Sequence, residues 1–241
     1  MDARGAGLMP SKVAPDAAAA LAGLEPGMTV AVSGFGLSGN PEALIAGVVG
    51  TGARGLTLVS NNAGAIGLNL ATWLQAGLVS RFIGTYVGGN VDLQRAIDDG
   101  AVDVELIPQG TFVERLRAAG AGIAAFWTPT GAGTVVAEGK EVRDFGGRPH
   151  LLEHALPVDF ALIRGAVADP FGNVRFRGTS RNFAPAMAMA ARVAVVEAEQ
   201  VVGLGDLDPN DVHLPGAFVQ RVLHVPHHAD VIEKRTVREA S

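Results

Sequence analysis

The sequence predicts an α/β protein with a mainly parallel, open sheet sandwiched by helices and a small β-rich excursion. Three observations predict it. Short runs rich in β-branched residues alternate along the chain with stretches of helical pattern, the rhythm of repeated βαβ units. Several of those runs are apolar almost throughout, as expected of strands covered on both faces. One segment, Gly133–His154, breaks the rhythm and reads as β-rich.

Taken in order, Thr29–Val32 (TVAV) reads as the first strand, and a glycine-rich loop follows it. Pro41–Val49 reads as a helix: Asn40 is a good N-cap, Pro41 suits the first helical position, and Glu42 places an acid in the first turn. Leu56–Val59 (LTLV) is the second strand, Leu68–Gln75 a helix, and Arg81–Val87 (RFIGTYV) the third strand. Val91–Asp98 continues as a helix, and Val102–Ile107 (VDVELI) as a strand. Thr111-x-x-Glu114 is a capping box that would open a helix over Thr111–Ala119. After the excursion come Phe160–Ala166 and Val193–Glu197 as strands, with a helix over Ala184–Ala191 between them. No internal repeat or linker interrupts the series, so residues 1–241 are expected to form a single domain, with a polar tail over about 229–241.

With 241 residues, 48% of them apolar, the chain is long enough to bury a sizeable core. Net charge is −5 and no long basic run occurs, so neither nucleic acid nor an anionic membrane is an expected partner. The absence of cysteine removes disulfides, thiolate metal sites and cysteine nucleophiles. The first fifteen residues lack the apolar core of a secretory signal, and no stretch approaches the length of a membrane span; a cytoplasmic location is expected. His224, His227 and His228 cluster without an acid pair at ligand spacing, so no metal site is expected.

The glycine loop asks for a ligand. Gly34-x-Gly36-x-x-Gly39, after a strand and before a helix, matches the dinucleotide fingerprint. Glycines permit a tight turn and let backbone amides approach an anion, to which the helix N-terminus adds partial positive charge. The NAD reading, an oxidoreductase using this loop, also needs an acid after the second strand. Val59-Ser60-Asn61-Asn62 offers none. The serine of Gly36-Leu37-Ser38-Gly39-Asn40 is not a nucleophile elbow either, because the closing glycine is missing.

The stretch PGMTVAVSGFGLSGNPE (Pro26–Glu42) resembles the first signature of the family I CoA-transferases, in their A (α) subunit. Further matching stretches follow in order: GLTLVSNNAG (Gly55–Gly64), YVGGN (Tyr86–Asn90), the run from Glu105 to Thr134, DFALIRG (Asp159–Gly165), GNVRFRGTSRNF (Gly172–Phe183) and LDPNDVHLPGAFVQRV (Leu207–Val222). The resemblance spans roughly residues 15 to 225 and is nearest the succinyl-CoA:3-oxoacid and 3-oxoadipate transferases. Two positions depart from it: Ser33 where the family usually has glycine, and Gly89 where it commonly has glutamate.

The resemblance implies an acyl-CoA substrate, no permanently bound cofactor, and a glutamate nucleophile on a partner B subunit within a Ser-Glu-Asn-Gly motif. This chain has no such tetrapeptide. Glu105, Glu114, Glu138 and Glu153 lack its context and read as surface or capping acids. The resemblance further implies that Gln109, beside Gly110, supports the oxyanion, and that Ser33, Gly34, Phe35, Gly36, Leu37, Ser38 and Gly39 contact CoA. Asn61 and Asn62 stand at a strand's carboxyl end, either shaping a turn or facing a ligand. Arg181 could pair with a carboxylate or phosphate, or form a structural ion pair. Which acids are exchanged is left open.

Overall fold

The computed structural model describes residues 10–65 and 67–227. The elements run β1 (Val13–Ala14), α1 (Ala17–Ala20), β2 (Thr29–Val32), α2 (Glu42–Thr51), β3 (Leu56–Ser60), α3 (Ala71–Gln75), β4 (Val79–Gly84), α4 (Val91–Asp98), β5 (Asp103–Leu106) and α5 (Gln109–Gly120). Then follow β6 (Ala125–Thr128), β7 (Val142–Phe145), β8 (Arg148–His154), β9 (Val158–Ala168), β10 (Val174–Arg175), α6 (Ala184–Ala190), β11 (Ala191–Val201) and β12 (Arg221–His224). Eight strands lie side by side in the order β1-β12-β11-β9-β2-β3-β4-β5, all parallel, and β10 alone pairs antiparallel, against β9.

Alternation along each strand divides the core. Leu58, Phe82, Leu162 and Val195 point to one face, where they pack with Leu44, Ile45 and Val48 of α2, Trp73 of α3 and Leu93 of α4. Their neighbours Val59, Ile83, Ile163 and Val196 point to the other, against Phe112 and Leu116 of α5 and Met187 of α6. Two-sided covering explains why these strands carry few polar residues. Trp73 is fully buried and its indole N–H donates to the Ile45 carbonyl at 2.9 Å, which joins α3 to α2.

The topology reverses between β2 and β9. From β2 the chain winds outward through β3, β4 and β5, with α2, α3 and α4 on one face. From β9 it winds the other way through α6 to β11, with α6 on the opposite face. The carboxyl ends of β2 and β9 therefore flank the switch point, where open α/β sheets form their ligand crevice.

The β-rich excursion is a three-stranded antiparallel sheet in the order β6-β8-β7. It begins at Ala125, earlier than expected, because β6 supplies its first strand. Other boundaries differ as well. β4 starts at Val79 and ends at Gly84 rather than Val87, because the Thr85 and Tyr86 amides leave the ladder and donate to the Asn61 carbonyl, each at 3.1 Å. α3 begins at Ala71 rather than Leu68, since Asn69 has a φ of 62°, in the left-handed region that an ordinary helix cannot hold. The expected tail, about 229–241, lies outside the described residues, as does His228. Among the described residues no helix is long and apolar enough to cross a membrane.

Candidate functional site

The glycine loop leaves β2 at the switch point. The Phe35 and Ser38 backbones bond each other both ways, at 3.0 and 3.1 Å, which makes a tight reversal. Gly34, Gly36 and Gly39 all have positive φ (141°, 57° and 79°). A side chain at Gly39 would also lie 2.5 Å from the Ser180 carbonyl. Ser33 fits the turn: its fully buried Oγ donates to the Gly39 carbonyl at 2.8 Å and accepts the Arg164 N–H at 3.2 Å. Phe35 stands 55% exposed at the tip, its ring 6.3 Å from that of Phe183.

The helix start beyond the loop differs from expectation. Pro41 occupies the N-cap position and no side chain caps its own helix there. Asn40 is buried and turned back, its Nδ2 donating to the Gly36 carbonyl at 3.0 Å; it closes the loop instead. The cap comes from across the sheet. Glu197 of β11, fully buried, accepts the Leu44 N–H at 2.8 Å, setting a carboxylate against the positive end of α2. Glu42 does sit in the first turn, and accepts a hydrogen bond from Asn69 at 2.8 Å. Sequence reasoning missed Glu197; the only signal was an acid inside the otherwise apolar run VAVVE.

Further along the same carboxyl edge, the structure brings together Asn61 after β3, Thr85 after β4 and Gln109 after β5. The Gln109 Nε2 donates to Asn61 Oδ1 at 3.0 Å, and the Thr85 hydroxyl donates to the same oxygen at 2.8 Å. Asn61 is buried, Asn62 half-buried and Gln109 exposed, so a fixed amide carries a solvent-facing one. Gln109 is the first residue of α5 rather than part of the preceding loop, and the capping box does not form. Pro108 is the N-cap, the Thr111 hydroxyl is buried without a hydrogen-bond partner, and Glu114 pairs with Arg117 at 2.8 Å.

The other acids sort by contact. Glu105 on β5 lies between Arg81 (2.7 Å) and Arg115 (2.6 Å). Burial pushes its carboxyl up, but hydrogen bonds and charge from Arg115 and then Arg81 outweigh that and hold it below the usual range. Glu138 is exposed. Glu153, expected at the surface, is instead buried on β8 and paired with Lys140 at 2.6 Å. Near the turn before α6, the arginine that pairs with a carboxylate is Arg177, with Glu199 at 2.8 Å, whereas Arg181 is exposed. Arg175, Arg177, Glu199 and Gln200 line a cavity of about 660 Å³ beside the ends of β9 and β11. No cluster of three or more metal-ligating side chains occurs among the described residues.

Exposed apolar side chains rim this edge: Phe35 (55%), Leu68 (45%), Tyr86 (59%), Val91 (43%) and Leu106 (49%). All follow or flank the carboxyl ends of β2 to β5.

Comparison with known proteins finds the coenzyme A transferase family matching residues 15–224. The A subunit of succinyl-CoA:3-ketoacid coenzyme A transferase from Xanthomonas campestris pv. campestris (strain B100) is 50% identical over 238 residues, 98% of this chain and 97% of that one. The probable A subunit of the same transferase in Bacillus subtilis (strain 168) is 46% identical over 215 residues, 89% of this chain and 90% of that one. Among solved structures, glutaconate coenzyme A-transferase from Acidaminococcus fermentans superposes with a TM-score of 0.80 at 22% identity, over 90% of this chain and 76% of that chain. An acyl-CoA transferase from Escherichia coli O157:H7 gives 0.83 at 20% identity over 95% of this chain, which spans only 50% of that longer one. The two structures share the fold. These matches replace the dinucleotide reading of Gly34-x-Gly36-x-x-Gly39: the strand that would carry the ribose-binding acid is followed by Asn61, which serves Gln109 and Thr85 instead.

Proposed function

The chain belongs to the coenzyme A transferase family, and on that premise we propose that it is the A (α) half of a two-chain enzyme moving CoA from an acyl-CoA such as succinyl-CoA to a 3-oxo acid, acetoacetate or 3-oxoadipate. A glutamate of the partner B subunit, in a Ser-Glu-Asn-Gly motif, attacks the thioester carbonyl. CoA leaves as thiolate, giving a mixed anhydride; the thiolate then attacks the glutamyl carbonyl and releases the first acid as its carboxylate. The second acid takes CoA from the glutamyl thioester by the reverse steps.

A carboxylate is a weak nucleophile, so the reaction depends on positioning and on donors aimed at the developing oxyanion. Gln109 supports that role through one observation. Its amide carries two N–H groups; one is committed to Asn61 at 3.0 Å, and Gln109 makes no other side-chain hydrogen bond to the described residues. Asn61 is itself fixed by Thr85. The exposed N–H is thus held by a buried scaffold and needs little reorganisation to meet a developing charge. The loop Ser33–Gly39 is the CoA-contact segment, and the exposed apolar rim is the face that the B subunit covers, since apolar patches of this kind mark interaction sites.

The test is Gln109→Ala in the enzyme purified with its partner chain. Loss of one oxyanion donor is expected to lower kcat about a hundredfold, while the exposed position leaves Tm unchanged. Full turnover in that variant would remove Gln109 from the mechanism.

A further inference from the structure

We propose that Asn182 is a positioning residue that staples the glycine loop across the switch-point crevice and sets it for acyl-CoA, a role that rests on reading Ser33–Gly39 as the CoA-contact segment. The loop after β2 leads to α2 on one face of the sheet, and residues 178–183 lead to α6 on the other. These two segments diverge, and Asn182 joins them. Its Oδ1 accepts the Gly34 N–H at 3.2 Å and the Phe183 N–H at 2.7 Å. Its Nδ2 donates to the Ser38 carbonyl at 3.2 Å and the Ser180 carbonyl at 2.9 Å. Both ends of the glycine turn are thereby held by one side-chain amide.

The backbone of Asn182 is the second observation. Its φ of 27° with ψ of −119° lies outside the regions that residues with a Cβ favour. Such strain persists only where the surroundings enforce it, and it gathers at functional sites. Asn69, with a φ of 62°, sits in the ordinary left-handed region that asparagine tolerates; Asn182 does not. Glycine would take the conformation freely but would supply none of the four bonds. Aspartate would keep both acceptor bonds and turn a carboxylate toward two carbonyl oxygens. Only an amide satisfies all four partners.

The experiment compares Asn182→Gly and Asn182→Asp with the parent in the two-chain enzyme, following kcat/KM for succinyl-CoA, Tm, and amide hydrogen exchange at Gly34. Asn182→Gly is expected to change Tm little, relief of the backbone strain offsetting the four lost bonds, while kcat/KM falls about a hundredfold, the scale of a small misplacement in a catalytic site, and Gly34 exchange accelerates. Asn182→Asp is expected to lose activity similarly. A glycine variant that keeps kcat/KM and Gly34 protection within about twofold of the parent, well inside that scale, would overturn the staple. So would one whose activity loss merely tracks a fallen Tm. A parent enzyme without CoA transfer would instead sink the functional reading, and Gly34 exchange would still decide whether the staple exists.

Discussion

At Ser33 a single hydroxyl joins the start of the glycine loop to its end and to β9, with bonds to the Gly39 carbonyl and the Arg164 N–H. Ser33→Gly is therefore expected to cost about 1–3 kcal/mol, because two buried backbone groups lose their partner. Thermal unfolding should show it as a Tm lower by about 2–4 °C per kcal/mol; an unchanged Tm would mean that the backbone closes the turn without the hydroxyl. Thr111 gives the opposite expectation. Its buried hydroxyl has no partner, so Thr111→Val removes a desolvation penalty and should leave Tm equal or higher. The loop's glycines were legible in the sequence because positive φ demands them. The use of Ser33 and Asn182 was not, since Ser33 meets Arg164 131 positions away and Asn182 meets Gly34 148 positions away.

Between elements, the start of α2 depends on a residue of β11. Glu197→Ala would leave the Leu44 N–H without its acceptor and open a void in the core; a loss of about 1–3 kcal/mol or more is expected, with a clear fall in Tm. The sequence pointed to Asn40 because caps are sought within a few residues of the helix, and nothing local reveals one arriving from another strand. α4 is the converse case. Asn90 caps it from its own N-terminus, accepting from the Asp92 and Leu93 amides, and the local pattern sufficed to place its bounds. At the sheet edge, Glu105 ties β5 to β4 and α5 through Arg81 and Arg115. Its carboxyl is held below its ordinary value of 4.5, so its contribution is fully present above that value and is lost as pH falls through the lower folded value. Glu105→Gln should accordingly narrow the gap in Tm between parent and variant as pH drops below 4.5, measured by thermal scans across acid pH. A constant gap would detach the ion pairs from acid stability.

Across the whole molecule, alternating apolar strands and helices announced a parallel sheet, and the order of winding placed the glycine loop at its switch point. The edges were harder to read. β1 has two residues, too few for a periodic signal to emerge, and it pairs with β12, which in turn lies on β11. The face that carries Gln109 and the loop is rimmed by exposed Phe35, Leu68, Tyr86, Val91 and Leu106, so this chain is expected to express stably and to catalyse only together with its B partner. The division of labour between the two chains is tested most directly by trapping. The two-chain enzyme is incubated with succinyl-CoA, the thioester intermediate is reduced with borohydride, and the modified peptide is identified by mass spectrometry. The modified glutamate is predicted to belong to the partner B chain; modification of any glutamate in this chain would contradict the account.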